Sequence, residues 1–116
     1  MTNDDVFFDV TDAEQHGVSV LHVRGEIDVA TSPGLRNHLN ELIERGHEII
    51  IVNLTEVSFI DSTGLGVLVG SVRRIRAIGG DLRLVVTQPH IIKLLDLTGL
   101  DDVFSVAPNL SDAARS

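Results

Sequence analysis

Residues 57–66 read VSFIDSTGLG, and this junction between two kinds of local structure decides how the chain is interpreted. Its first half is an apolar extended stretch, and the residues after it carry apolar side chains at the spacing of an amphipathic helix. Asp, Ser and Thr are common helix caps, because a side-chain oxygen accepts a hydrogen bond from a free backbone N–H. We therefore predict a helix from about Ser62 to Arg76, with Ser62 at or near its N-cap.

Strands are predicted from short apolar runs that are rich in β-branched residues. Three such runs are Val18–Val23, Ile49–Val52 and Leu82–Val86. The middle run is apolar on both faces, so it is expected at the centre of a covered sheet. A fourth strand is predicted at Val6–Val10, joined to the next strand by a hairpin connection at Thr11–Gly17.

Further helices are predicted between and after these strands. One runs from about Pro33 to Arg45 and is followed by Gly46, and another begins at Pro89 and stops at Gly99. The expected N-cap of the first is Thr31 or Ser32, because these residues precede its apolar spacing.

The end of the chain carries weaker signals: a short strand at Val103–Val106 and a final helix at Asn109–Ser116, capped by Ser111. Taken together, the order β-β-α-β-α-β-α predicts an α/β fold. We expect one domain over residues 1–116, with a mixed sheet of four to five strands and helices packed on it.

Composition excludes several classes of protein. The 116 residues carry a formal net charge of −8, which disfavours nucleic-acid binding because the phosphate backbone is repelled. The chain has no cysteine, so it forms no disulfide scaffold or zinc ribbon, and this fits a cytoplasmic location. The longest uncharged stretch, residues 62–72, is shorter than the roughly 20 residues of a membrane span.

Other candidate chemistries are weakly supported. The five histidines do not stand at the spacing of metal ligands on a helix, and no motif of a catalytic nucleophile occurs. Glu26 and Asp28 are either an acid/base pair or a solvated strand end. Gly64, Gly66 and Gly70 do not match a nucleotide-binding fingerprint, so they are expected to let the helix pack closely on the sheet. The arginines near the end of this helix are read as a solvated face; they are Arg73, Arg74 and Arg76.

Ser62 has a second possible role beside capping. A helix N-terminus offers free N–H donors and a partial positive charge, so it accommodates a phosphate on that serine. Ser62 is therefore a candidate for phosphorylation that leaves the fold intact.

Two motifs together resemble the STAS-domain family of bacterial anti-sigma factor antagonists. They are GEID at residues 25–28 and DSTGLG at residues 61–66, and the resemblance extends over about residues 6–113. It implies a mixed sheet with packed helices and no catalytic activity. From the residues themselves we expect no cofactor and no metal. The implied partners are an anti-sigma factor serine kinase of the histidine-kinase-like ATPase fold and a phosphatase that restores the serine.

The resemblance also assigns roles to individual residues. It implies that Ser62 is the phosphoacceptor, with Thr63 as the alternative, and that the unphosphorylated protein binds the kinase and frees a sigma factor. It implies partner binding by Asp28, Asp61, Ser62, Thr63 and Gly64. The alternative function is that of a subunit in a stress-signalling scaffold or a lipid-transport ATPase complex, and a small α/β enzyme is a third.

Overall fold

Five strands form one mixed sheet in the order β1-β2-β3-β4-β5 within the part of the chain that the computed structural model describes, residues 8–15 and 18–115. β1 pairs with β2 in the antiparallel sense, and all later pairs are parallel. The strands are β1 (Phe8–Gln15), β2 (Val18–Ile27), β3 (Ile49–Ile60), β4 (Asp81–Val85) and β5 (Ser105–Ala107). The helices are α1 (Ser32–Glu44), α2 (Ser62–Ala77), α3 (Pro89–Leu97) and α4 (Leu110–Arg115), with a 3-10 turn at Leu100–Asp102.

The central position of β3 confirms the prediction from its apolar sequence. Ile50 and Val52 contribute to the core on one face of the sheet, and Ile51 contributes to the apolar cluster on the other. This division follows from the alternation of side chains along a strand. β3 is longer than the predicted strand: it continues to Ile60, and Leu54 and Val57 are further buried residues in it.

The helices cover the two faces unequally. α1, α2 and α3 contribute to the larger core, with Leu35, Leu68 and Ile91 among its buried residues. α4 packs on the other face, where Ala113 joins the cluster that contains Ile51 and Val85. The sheet is therefore covered on both faces near β3 and β4, as expected for a largely parallel arrangement.

Two predictions about β1 and its connection need correction. The segment predicted as a connection is strand as far as Gln15, since β1 pairs with β2 from Phe8↔Gly25 to Gln15↔Val18. Polar residues are accommodated here because β1 is at the edge of the sheet and Thr11 is exposed. Val6 and Gly17 lie outside the described residues.

The predicted caps of α1 and α4 have different outcomes. Thr31 is the N-cap residue of α1, as predicted, but its hydroxyl makes no capping bond because it donates to the Glu26 carbonyl oxygen. At the start of α4, the N–H of Asp112 donates to Asn109 Oδ1 at 2.8 Å, so Asn109 takes the role predicted for Ser111. The strand predicted at Val103–Val106 is displaced to Ser105–Ala107.

None of the described helices is both long enough and apolar enough to cross a membrane.

Candidate functional site

The carboxyl ends of β2 and β3 meet at one edge of the sheet, and the two sequence motifs lie there. Ile27 and Ile60 are register partners at the last described pair of these parallel strands. Just beyond that pair, the N–H of Asp61 donates to the Ile27 carbonyl oxygen at 3.1 Å. The GEID and DSTGLG motifs are therefore neighbours in space.

Asp28 organises the turn between β2 and α1. Its Oδ1 accepts hydrogen bonds from the N–H groups of Ala30 at 3.0 Å and Thr31 at 3.1 Å. The Thr31 hydroxyl donates to the Glu26 carbonyl oxygen at 2.8 Å and accepts from the Asp28 N–H at 2.9 Å. Asp28 lies beyond the last strand residue and is half-buried, so neither the shared-face acid/base pair nor the solvated strand end describes it.

Asp61, rather than Ser62, caps α2. Asp61 has extended backbone angles, and its Oδ1 accepts a hydrogen bond from the Gly64 N–H at 3.0 Å. Ser62 is the first helical residue, is exposed, and makes no side-chain hydrogen bond within the described residues. Because the cap is supplied by its neighbour, the Ser62 hydroxyl remains available for chemistry.

Thr63 and Gly64 complete the first turn of α2. Thr63 is half-buried, whereas Ser62 is exposed. Gly64 is buried, and a Cβ there would lie 2.5 Å from Ile27 Cγ2 and 2.9 Å from Ile60 Cγ1. The absence of a side chain at Gly64 therefore lets the helix start approach the ends of β2 and β3.

The same packing role does not apply to the other two glycines of α2, which corrects the prediction for them. A Cβ at Gly66 would meet no described atom within 4 Å, and one at Gly70 would make ordinary contact with Arg74. Gly66 follows Ser62 by four residues, so the two share one face of the helix. Glycine destabilises a helix interior by roughly 0.5–1 kcal/mol relative to alanine, and internal packing does not explain that cost at Gly66.

Two exposed apolar side chains next to the motifs were not identified from the sequence. Val29 directly follows Asp28 and is 71% exposed, and Phe59 comes shortly before Asp61 and is 47% exposed. An apolar residue inside a polar turn was the available signal at Val29. Together with Asp28 and Ser62, Val29 and Phe59 form what we call the strand-end surface.

Other sites are not supported in the described part of the chain. No group of three His, Cys, Asp or Glu side chains there is arranged to hold a metal ion. A groove between α3 and β5, lined by Ile92, Leu95 and Val106, includes none of the predicted site residues.

Comparisons with known proteins agree on the type of domain. The family model described as STAS domain matches residues 9–113. A protein of Bacillus subtilis (strain 168) named "Anti-sigma-B factor antagonist" is 41% identical over 87 residues, which cover 75% of this chain and 79% of that protein.

Solved structures give the same result. The crystal structure of an anti-sigma factor antagonist from Mycobacterium paratuberculosis has a TM-score of 0.89 and 28% identity, covering 99% of this chain and 97% of that one. The Bacillus cell fate determinant SpoIIAA in its phosphorylated form has a TM-score of 0.70 and 25% identity, covering 94% and 98%. The similarity thus extends over nearly the full length of both chains.

Proposed function

Because this chain belongs to the STAS domain family, we propose that it acts as an anti-sigma factor antagonist switched by phosphorylation of Ser62. In its unphosphorylated form it binds an anti-sigma factor that is also a serine kinase, and this binding frees a sigma factor. The chain acts by binding rather than by catalysis, and it needs no cofactor. Support comes from the names of its relatives and from a solved relative in a phosphorylated form.

The observation that carries the proposal is the position of Ser62. Ser62 is exposed at the start of a 16-residue helix, its hydroxyl makes no hydrogen bond to any described residue, and Asp61 supplies the cap. The helix N-terminus stabilises a negative group by about 0.3–1 kcal/mol, so a phosphate on Ser62 leaves the fold intact.

The two chemical steps of the switch balance as follows. The Ser62 oxygen attacks the γ-phosphorus of ATP, the bond from that phosphorus to its bridging oxygen breaks, and ADP leaves; the hydroxyl proton passes to a base of the kinase or to solvent. A phosphatase reverses the state: water attacks the phosphorus, the bond to the serine oxygen breaks, and inorganic phosphate leaves. The serine oxygen then regains a proton from solvent or the phosphatase.

Electrostatics explains how phosphorylation weakens the complex. A phosphate adds about −1.5 to −2 charge to a chain whose formal charge is already −8. At ~6 Å from one carboxylate of the partner, each added charge costs about 3 kcal/mol for an effective dielectric constant near 20. This corresponds to on the order of a hundredfold in affinity.

The strand-end surface has the composition of a contact region for the kinase. Val29 and Phe59 supply exposed apolar area next to the two motifs, and aromatic residues are enriched at protein interfaces. Gly66 leaves the exposed face of α2 without a side chain, so a partner can approach the helix backbone closely. Asp28 and Asp61 hold these elements in place through their turn and cap hydrogen bonds. Since the phosphoryl donor is ATP, we place this exchange in the cytoplasm.

Incubation of the purified chain with its anti-sigma factor kinase and Mg-ATP, followed by intact-mass measurement, tests the proposal. The unmodified protein and Thr63→Ala are expected to gain one phosphate, and Ser62→Ala none. A phosphate on Ser62→Ala would contradict the assignment. A pull-down with the purified chain separates the alternatives. A large multi-subunit assembly recovered in place of a kinase would favour the scaffold or transport alternative.

A further inference from the structure

The carboxyl end of β3, which leads to Ser62, has no strand neighbour on one side among the residues that the structure describes. β4 pairs with β3 only from Ile49↔Asp81 to Asn53↔Val85. β2 continues beside β3 as far as Ile60. On the side opposite β2, carbonyl groups of residues 54–60 therefore have no β4 strand to pair with.

Two side chains at the start of α3 bind these carbonyl groups. The Gln88 Nε2 group donates to the carbonyl oxygen of Leu54 at 2.7 Å and also to that of Val57. His90 Nε2 lies 2.9 Å from the carbonyl oxygen of Ser58. Because a carbonyl oxygen only accepts, His90 Nε2 carries the proton in this contact.

Both the oxygen and the nitrogen of the Gln88 side-chain amide have hydrogen-bond partners. Gln88 occupies the N-cap position of α3 but makes no side-chain capping bond there. Its Oε1 accepts from the Thr87 N–H at 3.1 Å, while its amide nitrogen serves the two β3 carbonyls. The full set of partners fixes the orientation of the amide group.

We propose that Gln88 and His90 are positioning residues for Ser62: they clamp the end of β3 from the side opposite β2. The inference rests on the proposed phosphorylation of Ser62. On the β2 side the same segment is fixed by the Asp61 N–H bond to the Ile27 carbonyl oxygen. Residues 54–61, which lead to the acceptor serine, are thus held from both sides.

The clamp affects phosphoryl transfer more than docking. Transfer requires the reacting atoms at about 3–3.5 Å, and a displacement of about 1 Å reduces the rate by on the order of a hundredfold. Apolar contacts such as those proposed for Val29 and Phe59 are non-directional, so they tolerate a displacement of this size better than the transfer step does. Loss of the clamp should therefore lower kcat for Ser62 phosphorylation while KM for the protein substrate stays nearly constant.

The test compares Gln88→Met and His90→Phe with a control at the other end of the same helix. Gln88→Met keeps the length of the side chain and removes its donors, and His90→Phe keeps a ring. The control is Thr98→Ala, which removes hydroxyl bonds to Leu94 and Leu95 within α3 itself. Folding is checked by circular dichroism, and because His90 is exposed, His90→Phe keeps the test valid if Gln88→Met fails to fold.

Two readouts are expected to change together. In the isolated protein, hydrogen exchange at the Asp61 amide should become faster in both clamp variants and stay unchanged in Thr98→Ala. With the kinase and Mg-ATP, kcat should fall by at least about tenfold in Gln88→Met, with KM within about threefold of the unmodified protein.

Unchanged kcat in folded Gln88→Met and His90→Phe would overturn the inference, as would an equal loss in Thr98→Ala. Failure of the proposed function would give a different result: the unmodified protein itself would gain no phosphate.

Discussion

The N–H of Asp61 donates a hydrogen bond of 3.1 Å to the carbonyl oxygen of Ile27, which ties the start of α2 to the end of β2. Ile27 belongs to the GEID motif and Asp61 to the DSTGLG motif. Asp28 begins its turn next to this bond, and Ser62 begins the helix next to it. This backbone contact extends the β2–β3 pairing and, with it, fixes the relative position of both motifs.

The division of roles between Asp61 and Ser62 can be measured as stability. Asp61→Ala removes the bond to the Gly64 N–H and should lower the free energy of unfolding by about 0.5–2 kcal/mol. Ser62→Ala removes no hydrogen bond within the described residues and should change it by less than about 0.5 kcal/mol. Urea denaturation of the two variants checks this, and a larger loss in Ser62→Ala would show that Ser62 is the cap.

Gly64→Ala should destabilise the protein. The added Cβ would approach Ile27 Cγ2 to 2.5 Å, so the start of α2 must move outward. Overpacking of this kind costs typically 1–3 kcal/mol, which denaturation measures. A stability equal to that of the unmodified protein would contradict the close approach of helix and strand ends.

Gly66→Ala should change stability and binding in opposite directions. The site has space for a Cβ, so alanine should stabilise the helix by up to about 1 kcal/mol. The same methyl group projects toward the partner beside Ser62, and affinity for the kinase should fall. Gly70→Ala is the matched control on the same helix, with a similar gain in stability and little effect on binding. Unchanged affinity in Gly66→Ala would remove this glycine from the contact region.

The apolar part of the strand-end surface can be tested by Val29→Ser. Burying a valine at an interface contributes roughly 1.5 kcal/mol or more, so the kinase should bind this variant at least about tenfold more weakly. Stability should hardly change, because Val29 is 71% exposed. Ile78→Ser serves as the control, since Ile78 is 65% exposed at the opposite end of α2. Equal loss of affinity in both variants would indicate a nonspecific effect.

Much of the fold could be predicted because its signals are local. The apolar run Ile49–Val52 identified the central strand, and the spacing after Ser62 identified α2. The extended stretch before Asp61 was recognised, but its continuity with Ile49–Val52 in one strand was missed, because the pairing with β2 brings together residues far apart in sequence. The cap was misplaced by one residue, since adjacent Asp and Ser have similar capping preferences and the backbone angles decide between them.

The candidate site could be predicted less completely. The motifs identified Ser62, Asp28 and Asp61, but their hydrogen bonds depend on turns formed in the folded chain. Gln88 and His90 gave no signal, because their bonds to β3 carbonyls reflect where β4 ends. Phe59 is an ordinary strand residue by its type and its place in the sequence. Its exposure depends on how the folded elements around β3 cover the sheet.

The most direct test of the proposed switch is calorimetric titration of the kinase with the unmodified protein and with the same protein phosphorylated on Ser62. Both titrations use one salt concentration, because screening changes the repulsion. We expect the phosphorylated form to bind on the order of a hundredfold more weakly. Equal affinity of the two forms would contradict the proposal that a charge at the start of α2 controls the complex.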